Sequence, residues 1–207
     1  MKYFSDKKYI VSLLSGTIYL IASFVINVYA VNYAARTANN SVTDVILSNT
    51  PVFNVDGFFV YGAVLLILVI IFVCCLRPQR IPFILKSVAL FTLIRSFFLS
   101  LTHISPFPEH IAISPIIFTT LFPSIFTGDD LFFSGHTGLP FLMALIFWDD
   151  LSLRSIFLAF SILMSIVVLL GHIHYSIDVA SAFFITFTIF NIAKVLFKKD
   201  WQVLKNG

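Results

Sequence analysis

Six apolar runs separated by short polar breaks set the pattern of this chain, at about 9–33, 57–75, 81–105, 132–148, 155–171 and 178–197. Most approach the roughly 20 residues that carry an α-helix across a bilayer. The first run, about 25 residues, is too long for the usual 7 to 15 residue core of a signal peptide, so it reads as an uncleaved helix. The fourth reaches about 17 residues only if it begins near Phe132 and continues to Trp148, which puts Ser134 to Thr137 inside its outer end. Between the third and fourth runs, Pro106, Pro108, Pro115 and Pro123 bar one continuous helix. An interfacial or re-entrant piece around 115–122, roofing whatever lies beneath, fits that stretch best.

Composition agrees with the pattern. Hydrophobic residues make up 59% and charged residues 11% of the 207, against roughly 25% charged in a soluble domain. The expectation is an all-α integral membrane protein with six transmembrane helices, folded as a single polytopic domain over 1–207. The net charge of +3 does not argue for a nucleic-acid partner, because the basic residues cluster in short loops and termini. Lys2, Lys7, Lys8, Arg77, Arg80, Arg154, Lys198, Lys199 and Lys205 fall on one side of the six-span arrangement, and only Arg36 falls in the other side's loops. By the positive-inside rule both termini are cytoplasmic, with a bacterial inner membrane the expected setting. Cys74 and Cys75 are adjacent and cannot easily bridge each other; they read as reduced packing residues, with palmitoylation the alternative. Asn39-Asn40-Ser41 is a formal glycosylation acceptor that matters only in a secretory setting.

Two of the polar breaks carry chemistry. Gly171 to Val179 reads G-H-I-H-Y-S-I-D-V, with His174 and Asp178 four residues apart. If a helix begins at Ser176 or Ile177, the Asp178 carboxylate can turn back, accept an N–H from the His174 ring and fix its tautomer. The other ring nitrogen is then a nucleophile. Upstream, Ser134-Gly135-His136-Thr137 places a second histidine in a similar break on the same side. One histidine attacking a phosphate and another protonating the leaving group needs no metal and no cofactor. Arg95 lies about 13 Å along the third run from Lys86, which can snorkel to the cytoplasmic edge. An unpaired charge at that depth costs several kcal/mol, and a phosphate gripped by the guanidinium fork is its natural partner.

S-G-H-T and H-Y-S-x-D-V together resemble the type 2 phosphatidate phosphatase superfamily, and within it the sphingomyelin synthase branch. There G-D-x-x-x-S-G-H-T precedes H-Y-[ST]-x-D-V, and this chain has Gly128-Asp129-Asp130-Leu131-Phe132-Phe133-Ser134-Gly135-His136-Thr137. The resemblance covers roughly 95–197, within a catalytic core at about 86–197. It implies His174 as nucleophile, Asp178 as its partner, His136 as general acid and base, and Arg95 on the phosphate. Ser134, Gly135, Thr137 and Tyr175 are candidate substrate contacts. Ser134 and Thr137 serve equally as helix caps, and Tyr175 equally as an interface anchor. Asp129 and Asp130 are either solvated loop residues or, with Phe132 and Phe133, a seat for an ammonium headgroup. His103, His110 and His172 read as structural or interfacial.

The phosphatases of the superfamily also carry a K-x6-R-P element and an arginine six residues before the second histidine. Here Lys86 and Arg95 have eight residues between them, Arg95 precedes Ser96, and position 168 is Val. A phosphomonoester carries about −1.5 to −2 near neutral pH and a diester only one charge, so two missing cations favour a diester lipid. The synthase branch shares these absences, although its Cys before Gly-Asp is Thr127 here and no counterpart of its larger N-terminal region is expected. The function implied is transfer of a headgroup phosphate, such as phosphocholine or phosphoethanolamine, from a phospholipid to ceramide or diacylglycerol. A lipid phosphatase or phospholipase C-type hydrolase using the same histidines is the alternative.

Overall fold

The computed structural model describes residues 6–112 and 131–206, and among them every regular element is helical. In chain order they are α1 (Lys7–Thr37), α2 (Asp56–Leu76), α3 (Ile81–Leu101), α4 (Gly135–Ile146), α5 (Leu151–Leu170), α6 (Ser176–Leu196) and α7 (Lys198–Asn206), with 3-10 turns at Leu47–Asn49 and Pro78–Arg80. Five of these are long and apolar enough to cross a membrane: α1, α2, α3 with its preceding turn, α5 and α6. The chain is an all-helical integral membrane protein.

The fourth apolar run is the one whose helix falls short of a full span, although it leads from the histidine motifs to Asp150 at the opposite end beside Arg77. α4 has 12 residues, about 18 Å of helix against a hydrocarbon core of about 30 Å. It begins at Gly135, three residues later than the apolar run, because Ser134 is held as its N-cap; it ends before Phe147. Leu142, Met143 and Ala144 of α4 are wholly buried. It is an interior helix packed among α3, α5 and α6. The re-entrant piece expected at 115–122 lies outside the described residues.

α1 packs along α3 through small side chains. Gly16, Ser23 and Ala30 are buried at spacings of seven, and a Cβ on Gly16 would stand 3.1 Å from the Leu85 Cβ. Small residues allow this close approach where lipid supplies no hydrophobic drive between helices. α2 lies against α5 instead: Gly62 fits beneath Met164, and Phe59, Val60 and Ala63 join Met164, Val167 and Val168 in one cluster. α3 is the most buried span and carries Phe83 and Phe91 into the main core.

The two ends of the bundle differ. At one end Arg77 pairs with Asp150 (3.4 Å), and Tyr9 donates to the Pro78 carbonyl (2.7 Å). There α7 closes over the core through Trp201, which meets Phe83 and Phe190, and buried Leu204. Lys86, expected to snorkel, is 8% exposed; its Nζ donates to Asp200 of α7 and Ser12 of α1, both at 2.7 Å. At the other end three loops are tied together. Asn39 N–H donates to the His103 carbonyl (3.1 Å), Phe53 N–H to Leu170 (2.9 Å) and Ile111 N–H to Gly171 (3.0 Å). Both histidine motifs sit beneath these ties.

Candidate active site

His174 is placed by the turn between α5 and α6. Gly171 opens the turn because a Cβ there would meet Val55 Cγ2 at 2.9 Å and Ile111 Cδ1 at 3.0 Å. His172 follows at φ 53, a left-handed conformation uncommon for a side chain with a Cβ. Its Nδ1 lies 2.6 Å from the Glu109 carbonyl, and its ring packs edge-on against Phe107, as a structural residue would. The chain then enters α6 at Ser176, as the spacing anticipates.

The pairing of His174 with Asp178 is present in a modified form. The Nδ1 of His174 lies 2.9 Å from the Leu131 carbonyl and 3.4 Å from Asp178 Oδ2. A carbonyl can only accept, so Nδ1 carries the proton. Leu131 fixes the tautomer and Asp178 supplies a negative charge beside it. The same Oδ2 accepts the Tyr175 N–H at 2.9 Å. Nε2 of His174 is buried and has no hydrogen-bond partner among the described residues, which leaves a lone pair on the nitrogen that would attack.

His136 is the second residue of α4, and its ring centroid lies 6.3 Å from that of His174. Phe59 of α2 packs on its other side at 4.4 Å. The two motifs are also stitched through the backbone, since Ser134 N–H donates to the Asp178 carbonyl at 3.1 Å. Arg95 is buried in α3 with its Nε donating to the Phe133 carbonyl at 2.8 Å. The guanidinium lies against Gly135, where a Cβ would stand 3.3 Å from Nε and 3.5 Å from Cζ. A side chain at Gly135 would press on the arginine. Among the described residues the backbone N–H of Gly135, the first residue of α4, has no hydrogen-bond partner, and the start of a helix is where anions bind.

Other candidates are occupied elsewhere. Ser134 Oγ accepts the Thr137 N–H as an N-cap (3.4 Å). Thr137 Oγ1 takes the Ser165 hydroxyl (3.1 Å), and its carbonyl takes Ser161 (2.8 Å), so this residue fastens α4 to α5. Tyr175 is likewise tied to neighbouring loops. Its hydroxyl donates to the Ser105 carbonyl (2.8 Å) and accepts the Val42 N–H (3.2 Å). Asp129 and Asp130 lie outside the described residues.

Asp44 was not anticipated. It sits in the loop after α1, yet its Oδ2 accepts the Ser176 N–H at 2.7 Å, while Oδ1 accepts those of Ile46 (2.8 Å) and Leu47 (3.1 Å). Burial pushes its carboxyl up, but the hydrogen bonds from Ser176, Leu47 and Ile46 outweigh this and hold it below the ordinary value of 3.8. Asp44 and Asp178 therefore consume the N–H groups of Ser176 and Tyr175. The opening of α6 is thus filled by the protein's own carboxylates, whereas the start of α4 has no carboxylate on it among the described residues.

Comparison with known proteins places this geometry. Residues 128–195, about a third of the chain, match the family model described as PAP2 superfamily C-terminal. No curated protein and no solved structure matches. The matched stretch holds His136, His174 and Asp178 and leaves out Arg95. It supports placing this part of the chain in the type 2 phosphatidate phosphatase superfamily, whose members are phosphatases and phosphotransferases acting on phosphoesters.

Proposed function

We propose that this protein is a membrane lipid phosphotransferase that passes a headgroup phosphate from a phosphodiester lipid to an acceptor through a phosphohistidine on His174. The observation that carries the reading is the bare, buried Nε2 of His174, opposite a protonated Nδ1 fixed by Leu131 and Asp178. Nε2 attacks phosphorus, the bond to the diacylglycerol oxygen breaks, and His136 gives that oxygen a proton. The imidazolium character that develops on His174 is stabilised by Asp178. Neutral His136 then takes the proton of the acceptor hydroxyl, whose oxygen displaces His174 from phosphorus. Arg95 and the Gly135 N–H supply positive potential to the phosphoryl oxygens. The active site is proposed on the outer face of the membrane, with both termini cytoplasmic.

The diester preference rests on cation count. Arg95 is the one arginine beside the two histidines among the described residues, and position 168 is a buried Val. The deciding experiment incubates purified protein with headgroup-labelled phosphatidylcholine, phosphatidylethanolamine and phosphatidic acid, each with and without ceramide or diacylglycerol. Label appearing on the added acceptor supports the proposal. Release of free phosphocholine or phosphoethanolamine regardless of acceptor assigns a phospholipase C-type hydrolase. Free phosphate from phosphatidic acid, with no action on diesters, overturns the diester reading.

A further inference from the structure

A cavity of about 260 Å³ leads away from Arg95 and His136 into the membrane-spanning part of the molecule. Its walls come from four helices: Phe24 and Asn27 of α1, Leu66 of α2, Phe91 and Thr92 of α3, and the α4 start, with Arg95 and His136 at one end. α1 follows α3 and has little contact with α2, so the cavity adjoins the seam between α1 and α2, whose flanking surfaces are apolar and exposed. The lining is almost wholly apolar apart from one polar rung. Asn27 Oδ1 accepts from Ser96 Oγ at 3.2 Å, and Ser96 also reaches the Thr92 carbonyl at 2.8 Å. That leaves Asn27 Nδ2 and the Thr92 hydroxyl with no partner among the described residues, although both side chains line the cavity.

Polar side chains at membrane depth are costly and mark ligand paths. Thr92 precedes Arg95 by three residues, about 4.5 Å along α3, on the side away from the histidine-end loops. A glycerophospholipid whose phosphate sits at Arg95 has its ester carbonyls immediately inside the phosphate, followed by hydrocarbon. The volume is below the roughly 300 Å³ of whole-ligand pockets, so it takes the top of one chain. We infer that this cavity is the acyl-chain site of the lipid substrate, and that Asn27 and Thr92 donate hydrogen bonds to the ester carbonyl next to its phosphate. The inference rests on the lipid reading above and adds a specificity determinant in α1, outside the stretch that matches the family model.

The test uses binding, so that it does not depend on turnover. The full chain carrying His174→Ala is titrated with dioctanoyl phosphatidylcholine and with its diether analogue, which keeps the phosphate and chains but lacks both carbonyls. With Asn27 present the ester lipid binds about tenfold more tightly, and in Asn27→Leu the ratio falls below about twofold. A second variant, Ala63→Phe, enlarges an α2 side chain that also lines the cavity and weakens both lipids together. Ester and ether lipids binding alike with Asn27 present, or a ratio that survives Asn27→Leu, overturns the carbonyl assignment. Unchanged affinity in Ala63→Phe overturns the cavity as the chain site. If the parent enzyme transfers no phosphate while the ester preference and its loss are seen, the phosphotransferase reading fails and the lipid site stands.

Discussion

His174 shows most directly how one side chain is prepared for chemistry. The ring donates through Nδ1 to a backbone carbonyl and lies beside a carboxylate, so the proton that would quench Nε2 is held on the far side. His174→Ala and His136→Ala are each expected to abolish lipid turnover, because nucleophile and acid act as a unit. His136→Asn is the better control for folding, since Phe59 packs on that ring and alanine would leave a void. Turnover of labelled lipid alongside thermal unfolding in detergent checks both, and substantial activity in either variant would refute the mechanism. Arg95→Lys should lose about 2 to 4 kcal/mol of transition-state stabilisation, the scale of one preorganised donor, because an ammonium cannot reproduce the fork. The change is read as a fall in kcat/KM with phosphatidylcholine. In competition, diester lipid should be consumed ahead of phosphatidic acid, and the reverse order would show that one arginine suffices for a dianion.

At the scale of elements, the start of α6 is fixed from outside. Ser176 N–H is capped by Asp44, a residue 132 positions earlier, and Tyr175 reaches Val42 and Ser105 through its hydroxyl. Asp44→Asn keeps the shape but removes the charge from an N-cap, and should cost about 1 kcal/mol of stability together with about a tenfold loss of kcat as the His174 turn loosens. The pH dependence has a defined sign. The folded carboxyl is held below 3.8, so its contribution is fully present above that value and is lost as pH falls through the lower folded value. The difference in unfolding temperature between wild type and Asp44→Asn should be steady above 3.8 and shrink below it; a difference growing towards acid would contradict the cap. This contact also shows why the site was only partly legible. His136, His174, Asp178 and Arg95 are marked by residue type and by the rarity of charge within apolar runs. Asp44 looks like any loop aspartate, because a cap supplied across 132 residues leaves no local pattern. α7 did leave one: Phe197, Trp201 and Leu204 recur at helical spacing, obscured by the lysines around them. The short α4 was hidden in an apolar run whose length belongs partly to Phe132, Phe133 and Phe147, buried or half-buried residues outside the helix.

Across the whole molecule, polar contacts divide into two ends with different purposes. The histidine end is held by loop ties that leave a buried reactive nitrogen, whereas the opposite end is locked by Lys86, Asp200 and Ser12, which join α3, α7 and α1. Asp200→Asn leaves the buried Lys86 charge uncompensated and should cost about 3 kcal/mol. Replacing both, as Lys86→Met with Asp200→Leu, should restore most of it in thermal unfolding, and no recovery would mean that the charge pair itself is required. The same division bears on orientation. Lys7, Lys8, Arg77, Arg80, Arg154, Lys198 and Lys199 lie with the locked end, while at the histidine end, apart from Arg95 in the site, Arg36 in the last turn of α1 is the single described Lys or Arg. Basic loops resist translocation, so the locked end should face the cytoplasm and the histidines the outside. With Cys74 and Cys75 changed to serine, Asn40→Cys should then react with an impermeant maleimide on intact cells, because Asn40 is exposed in the loop after α1. Asn206→Cys, at the end of α7, should react only after the membrane is opened. Labelling of the second and not the first would invert the protein and put the proposed chemistry on cytoplasmic-leaflet lipids; labelling of both in intact cells would break the pairing of α7 with the N-terminal end of α1.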